Sequence, residues 1–183
     1  MKLVILDRDG VINHDSEQFI KSPDEWKPIR GSLEAIARLT QWGYRVIVAT
    51  NQSCVGRGFF DMDTLNAIHD KMTKAVNQVG GRIDAVFFCT HTNADDCACR
   101  KPRPGMLVDI GERYNAPLVG VPVVGDAMRD MQAALAVGAQ PMLVLTGKGS
   151  TTAADPQLPV AIAQFADLAA VAAHLTREVA ASK

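Results

Sequence analysis

The chain predicts an α/β fold, a three-layer, Rossmann-like parallel sheet with helices on both faces. Apolar runs of strand character recur at residues 3–6, 44–49, 85–88, 119–124 and 142–145. Helical periodicity fills the intervals near 33–41, 62–79, 106–114, 128–137 and 160–175. Strict alternation of this kind favours right-handed crossovers between parallel strands. With 183 residues and 48% hydrophobic content, the chain has enough apolar material for one core, so residues 1–183 are read as one domain.

The first strand, Lys2-Leu3-Val4-Ile5-Leu6, is apolar throughout, as expected of a strand covered on both faces, and it runs directly into Asp7-Arg8-Asp9-Gly10. In such sheets ligands bind outside the carboxyl ends of the strands. A carboxylate there can attack phosphorus, and a second acid can protonate the leaving oxygen and later deprotonate water. Gly10 permits the tight backbone path that follows. An Asp-Gly turn also ends many strands for purely structural reasons, so this motif alone does not decide. Residues 10–31 are polar and contain Pro23 and Pro28, and they read either as a surface excursion or as a border of the site.

The second strand ends in Thr50-Asn51-Gln52-Ser53. Short hydroxyl and amide groups at a turn suit phosphoryl oxygens, and they suit local helix caps equally well. The third strand enters a loop holding Cys89, His91, Cys97 and Cys99, a Cys₃His set with no open position, as in structural zinc sites. The alternative is a group of free thiols in a reducing compartment. Next come Arg100 and Lys101 before Pro102: either a solvated pair, or a fixed cation that neutralises phosphoryl charge and keeps Asp7 ionised. The fourth strand ends at Asp126, with Asp130 one helical turn further on. Asp7, Asp126 and the Asp9 backbone carbonyl are the hard oxygen ligands that Mg²⁺ prefers. Asp130 is then a helix-face acid, or it orients Lys101 or a metal-bound water. Residues 177–183 read as a helix end without chemistry.

A net charge of −1 and the absence of any basic run argue against nucleic acid as a partner. No apolar stretch is long enough to span a bilayer and the N-terminus begins in a core strand, so the expectation is a cytoplasmic monomer acting on a small molecule. His14 and His69 lack ligand partners at metal spacing, Trp26 and Trp42 read as packing residues, and Cys54 as a small loop residue near the site.

Taken in order, Asp7-Arg8-Asp9-Gly10, Thr50, Lys101 and Asp126 resemble the haloacid dehalogenase superfamily of phosphotransferases, over residues 3 to about 145. The resemblance implies Asp7 as nucleophile, Asp9 as general acid/base, Thr50 and Lys101 as phosphoryl stabilisers, and Asp126 as a Mg²⁺ ligand. The second acid, Asp9, is similar to the phosphatase branch rather than the dehalogenases. The cysteine loop resembles the zinc-loop subgroup, which contains heptose bisphosphate and histidinol phosphate phosphatases. Residues 50–58 and 99–107 look closer to the heptose enzymes, whereas the short spacer between His91 and Cys97 is like the histidinol enzymes. Ala127 stands where the heptose family often carries a lysine.

The resemblance therefore implies a capless, Mg²⁺-dependent phosphatase with structural Zn²⁺. It would remove the 7-phosphate of D-glycero-D-manno-heptose 1,7-bisphosphate through an aspartyl-phosphate, in nucleotide-heptose synthesis for lipopolysaccharide. Histidinol phosphate is the alternative substrate, and a zinc-stabilised phosphate-binding module the alternative without catalysis. By position, Asp15, Ser16, Glu17 and Gln18 approach sugar hydroxyls, Asn51, Gln52 and Ser53 approach phosphate, and Arg100 helps select the substrate. Arg57 meets a distal phosphate or is a surface arginine in a Gly-flanked turn.

Overall fold

The computed structural model describes residues 1–181, and Ser182 and Lys183, part of the expected helix end, lie outside the described residues. Six strands, β1 (Lys2–Leu6), β2 (Tyr44–Asn51), β3 (Ala85–Cys89), β4 (Pro122–Gly125), β5 (Gln140–Val144) and β6 (Ala163–Phe165), form one parallel sheet in the order β3-β2-β1-β4-β5-β6. The helices are α1 (Ser32–Gln41), α2 (Ser53–Gly56), α3 (Met62–Gln78), α4 (Gly105–Arg113), α5 (Met128–Ala136), α6 (Gly149–Ala153) and α7 (Leu168–Ala181).

Alternation along the central strands divides the core into two layers. Val4, Leu6, Val46, Val48 and Val124 face α1, α3 and α7. Leu3, Ile5, Ile47, Ala49 and Val123 face α4 and α5. Both faces are covered, which is why these strands are apolar at every position. α3 illustrates the helical side: Asp61 caps it by accepting the Thr64 N–H at 2.9 Å, and Leu65, Ile68, Met72 and Val76 form its buried stripe.

Two boundaries depart from expectation. The run 119–124 becomes strand only from Pro122, because Gly120 adopts φ +73° in a turn closed by Val121 N–H on Leu118 O. The periodicity at 160–175 conceals β6, which pairs Met142 with Ala163, Leu143 with Gln164 and Val144 with Phe165, before α7 starts beyond the cap Asp167. An edge strand this short with only one large apolar residue leaves almost no period-2 signal.

The 10–31 segment carries only one 3₁₀ turn, Pro23–Glu25, and the cysteine loop only Asn93–Asp95, so neither holds a cap domain. The first is pinned to the core by Val11, Ile12, Ile20 and Trp26, and by Ile29 N–H on Ile12 O at 2.9 Å. Trp26 is thus a packing residue, whereas Trp42 lies at the exposed end of α1. No helix among the described residues is long and apolar enough to cross a membrane.

Ile5 is fully buried where β1 meets β2 and β4. Ile5→Ala is expected to cost about 2–5 kcal/mol in urea denaturation and Ile5→Val only about 0.5–1.5 kcal/mol. Equal losses for the two variants would show that this layer is not close-packed.

Candidate active site

The chain turns outward in opposite directions from β1 and β4, so their carboxyl ends form the topological switch point of the sheet. Asp7 leaves β1 with its N–H on Val124 O at 2.9 Å, next to Asp126 at the end of β4. Lys101 reaches them from the cysteine loop. Its Nζ lies 3.3 Å from Asp7 Oδ1 and 2.6 Å from Asp130 Oδ1, and it donates to Ala49 O at 2.8 Å. One hydrogen bond and two ion pairs thereby hold the ammonium group in a buried setting. Burial alone would lower the Lys101 pKa, but Asp130 and Asp7 outweigh it and hold the value above the ordinary lysine range. The other Asp130 oxygen accepts Ala127 N–H at 3.0 Å. Both oxygens being engaged, Asp130 orients Lys101.

Asp126 is held differently. One carboxylate oxygen accepts Lys148 N–H at 2.8 Å, and its main-chain carbonyl accepts the Thr152 hydroxyl at 2.8 Å. Its other oxygen is buried without a hydrogen-bond partner among the described residues. Gly10 (φ +79°) and Gly147 (φ +56°) pack so closely on this carboxylate that a methyl group at either would overlap it. Burial, then the Asp7 charge, pushes Asp126 up to about 7. Burial also raises Asp7 to about 6, against the pull of Lys101. Oxygens of Asp7, Asp126 and Asp130 lie within 4.8 Å of one another. An acidic, all-oxygen cluster with one free buried oxygen fits Mg²⁺, which Asp7, Asp126 and the Asp9 carbonyl would hold.

Asp9 turns its side chain away from this cluster. Arg8 grips it with Nε on Oδ1 and Nη2 on Oδ2, both at 3.0 Å, while Asn13 Nδ2 donates to Oδ1 at 2.8 Å and Gln52 Nε2 to Oδ2 at 2.9 Å. Burial would raise its pKa, but Arg8 and the amide donors outweigh burial and hold it below the ordinary carboxylate range. Gln52 also donates to Thr50 Oγ1 at 2.9 Å, which places Thr50 beside the pair.

The sulfurs and imidazole of the cysteine loop do converge. Cys99 Sγ lies 3.2 Å from Cys89 Sγ, 3.5 Å from Cys97 Sγ and 3.3 Å from His91 Nδ1; Cys89 Sγ lies 3.6 Å from Cys97 Sγ and 3.5 Å from His91 Nδ1. Zn–S bonds of 2.3 Å imply tetrahedral edges of roughly 3.8 Å, so the cluster is a near fit to Zn²⁺. Burial and contact with Cys99 push the Cys89 thiol up to about 12, a cost that a bound dication removes. The loop is tied to the catalytic edge at three points. Gln52 N–H donates to Cys89 O at 2.7 Å, Gly105 N–H to Ala98 O at 3.0 Å, and the Asn51 side chain pairs with both the N–H and the carbonyl of Lys101.

A cavity of about 310 Å³ opens above Asp9. Asp15, Ser16, Glu17, Asn51, Gln52, Ser53 and Arg100, all expected from sequence to approach substrate, are among the residues that line it. Gln18 does not, and Arg57 is placed with its guanidinium 5.7 Å from the ring of Phe19, which stacks on Phe59 at 5.7 Å. Asn51 acts chiefly by clamping Lys101, and Arg100 is braced by Asn93 Oδ1 at 2.7 Å. Sequence reasoning missed Arg129 and Lys148, two further cations at this mouth, and Thr146, whose hydroxyl donates to Gly10 O at 2.6 Å. The run Thr146-Gly147-Lys148-Gly149-Ser150 after a strand was the available signal for the last two.

An Asp-x-Asp at the switch point with its first aspartate buried, a lysine on that carboxylate and a hard-cation site define a HAD-like hydrolase of the phosphatase type. The HAD-hydrolase-like family model matches residues 98–171. A D-glycero-beta-D-manno-heptose-1,7-bisphosphate 7-phosphatase from Bordetella bronchiseptica is 58% identical, covering 97% of this chain and 99% of the relative. One from Pseudomonas aeruginosa is 52% identical over 94% and 97%. The crystal structure of D,D-heptose 1,7-bisphosphate phosphatase from B. bronchiseptica, complexed with magnesium and phosphate, superposes with a TM-score of 0.95 over 97% of this chain and 99% of that one, at 58% identity. The chain belongs to the heptose-1,7-bisphosphate 7-phosphatase family.

Two tests follow from this geometry. Asp126 ionises near 7 in the fold but near 3.9 when unfolded, so its charge opposes folding increasingly as pH rises from about 4 to about 7. Without Mg²⁺, Asp126→Asn is therefore expected to melt several degrees above the parent protein at pH 8 and level with it at pH 4, while Mg²⁺ stabilises only the parent. The opposite slope from His69, held down at about 4 mainly by burial, is common to both proteins and cancels. A melting difference independent of pH would refute the assignment. Separately, a zinc-selective chelator in excess Mg²⁺ should lower both the melting temperature and the activity. Unchanged values for both would exclude structural zinc.

Proposed function

We propose that this protein hydrolyses the 7-phosphate of D-glycero-beta-D-manno-heptose 1,7-bisphosphate through an aspartyl-phosphate on Asp7. It would act as a cytoplasmic monomer in nucleotide-heptose synthesis. The observation that carries the chemistry is the buried Asp7 carboxylate, fixed by Lys101 two residues ahead of a second, separately clamped carboxylate. The substrate assignment rests on the named activity of relatives that match nearly the whole chain.

Asp7 attacks the phosphorus, and the bond from phosphorus to the sugar oxygen breaks as that oxygen takes a proton from Asp9. Asp9 then accepts a proton from the water that hydrolyses the aspartyl-phosphate, which restores both carboxyl groups. The clamp on Asp9 favours its ionised form, as the second step needs. For the first step, the negative charge of a bound phosphoryl group raises its proton affinity. Lys101 balances charge on the nucleophile, and Thr50, beside Gln52, and Ser53, which lines the cavity, would donate to phosphoryl oxygens. Mg²⁺, when bound, supplies further positive charge to the phosphoryl oxygens.

Arg100, Arg129 and Lys148 share the mouth with Asp9, Asp15 and Glu17, Lys148 Nζ pairing with Asp15 at 3.3 Å; these cations would meet a second phosphate, and the last two would compensate for Ala127. The Arg129 pKa is held above the ordinary range: burial would lower it, but Asp130, Asp7, Asp126 and Asp15 outweigh that. Its Nε is buried without a hydrogen-bond partner among the described residues.

Mg²⁺-dependent phosphate release should be fast from the heptose 1,7-bisphosphate and slow from histidinol phosphate. It should fall to background in Asp7→Asn and by about 10²–10⁴-fold in Asp9→Asn. Preference for histidinol phosphate would keep the mechanism and overturn the substrate; full activity in Asp7→Asn would overturn the mechanism.

A further inference from the structure

Arg8 lies between the two carboxylates of the motif and is wholly buried. Burying a guanidinium is costly unless its N–H groups are paired, and here four of the five have a partner. Nε and Nη2 fork onto Asp9, and Nη2 also donates to Gln52 Oε1 at 3.1 Å. Nη1 lies 3.3 Å from His69 Nε2, on the buried stripe of α3. Arginine has no acceptor, so this contact is a hydrogen bond only when His69 Nε2 carries a lone pair and the ring is neutral. Burial first, and the Arg8 charge next, hold the His69 pKa down at about 4, in agreement with a neutral ring. The tilted Phe88 ring, 5.6 Å away, packs on the imidazole.

We propose that Arg8 and His69 form a positioning pair for Asp9, His69 fixing the outer end of the guanidinium so that its fork sets the direction of the Asp9 carboxylate. The remaining Asp9 contacts explain why such a device is useful. Asn13 and Gln52 belong to the loops that border the cavity, so their amides bind Asp9 from segments that also meet substrate. The Arg8 fork instead has its far end on α3, a long helix of the core, and is not itself a lining residue. Among the described residues that bond the Asp9 side chain, Arg8 is the one anchored on a core helix. Neither residue touches the reacting atoms, and their role rests on the reading of Asp9 as the proton shuttle. A misaligned shuttle loses rate without losing substrate affinity.

The test is a double-mutant cycle with a conservative rescue. His69→Met keeps the volume and removes the acceptor, whereas His69→Gln returns an acceptor close to the Nε2 position. At a temperature well below unfolding, His69→Met is expected to lose on the order of ten- to a hundredfold in kcat with KM unchanged, and His69→Gln to recover most of it. In an Asp9→Asn background, His69→Met should cause no further loss, because the group it positions is already gone. The pair is refuted by wild-type kcat in a folded His69→Met protein, by equal losses in Met and Gln, or by the same fold loss in both backgrounds, which would mark ordinary core packing. The failures separate: a wild-type protein that releases phosphate from no ester overturns the phosphatase reading and this role with it. An active wild type with an unaffected Met variant overturns the pair alone.

Discussion

The site depends on where one ammonium group is held. Lys101 Nζ is buried among Asp7, Asp130 and Ala49 O, and a buried ion cluster persists only when every charge and donor is met. Much of the surrounding structure meets that condition. Asn51 pins the Lys101 backbone on both sides, Asp130 is itself fixed by Ala127 N–H, and the cysteine cluster anchors the loop that delivers the lysine. A loop of this size has no core of its own, so a metal is the natural means of giving it one shape. The zinc cluster lies outside the reacting center, and its contribution to chemistry is the placement of Lys101 and Arg100.

The second organising constraint is charge. Asp7 and Asp130 share a cation, and Asp9 has Arg8, but among the described residues Asp126 has no cation of its own within hydrogen-bond reach. Two glycines at positive φ pack against it, and one oxygen is left free. That oxygen is expensive to bury unless something electropositive completes it. The burial and clustered negative charge that raise the Asp7 and Asp126 pKa values therefore favour a divalent cation at this edge.

How much of this is legible in sequence varies with how local each signal is. β1, β2, β4 and their polar ends were legible because doubly covered strands are apolar without interruption, and the residue that ends such a run is at the ligand edge by topology. The cysteine cluster was legible because ligand type and spacing are both encoded within a short loop. β6 was not, being a three-residue edge strand that merges with the helical pattern of α7. Arg57 could not be resolved by position alone: its turn points toward the cavity in sequence terms, yet the Phe19 ring takes it up. Arg129 was obscured in the opposite way, as an ordinary polar residue in the first turn of α5, next to the acid that drew attention.

His69 shows the limit most clearly. Read along α3 it is one polar interruption in a hydrophobic stripe, and with no metal-spaced partner the reading is a packed histidine. The partner that changes this meaning, Arg8, lies sixty-one residues earlier and is itself masked by the two aspartates that flank it. Local pattern reports which residues carry chemistry at their own tips. It does not report which residues act by holding another, because that depends on a contact formed only when the sheet and α3 have packed. Asp7, Asp9 and Asp126 follow strand ends, where sequence displays them, while the pair that we propose orients Asp9 reaches back to a core helix, where sequence displays only burial.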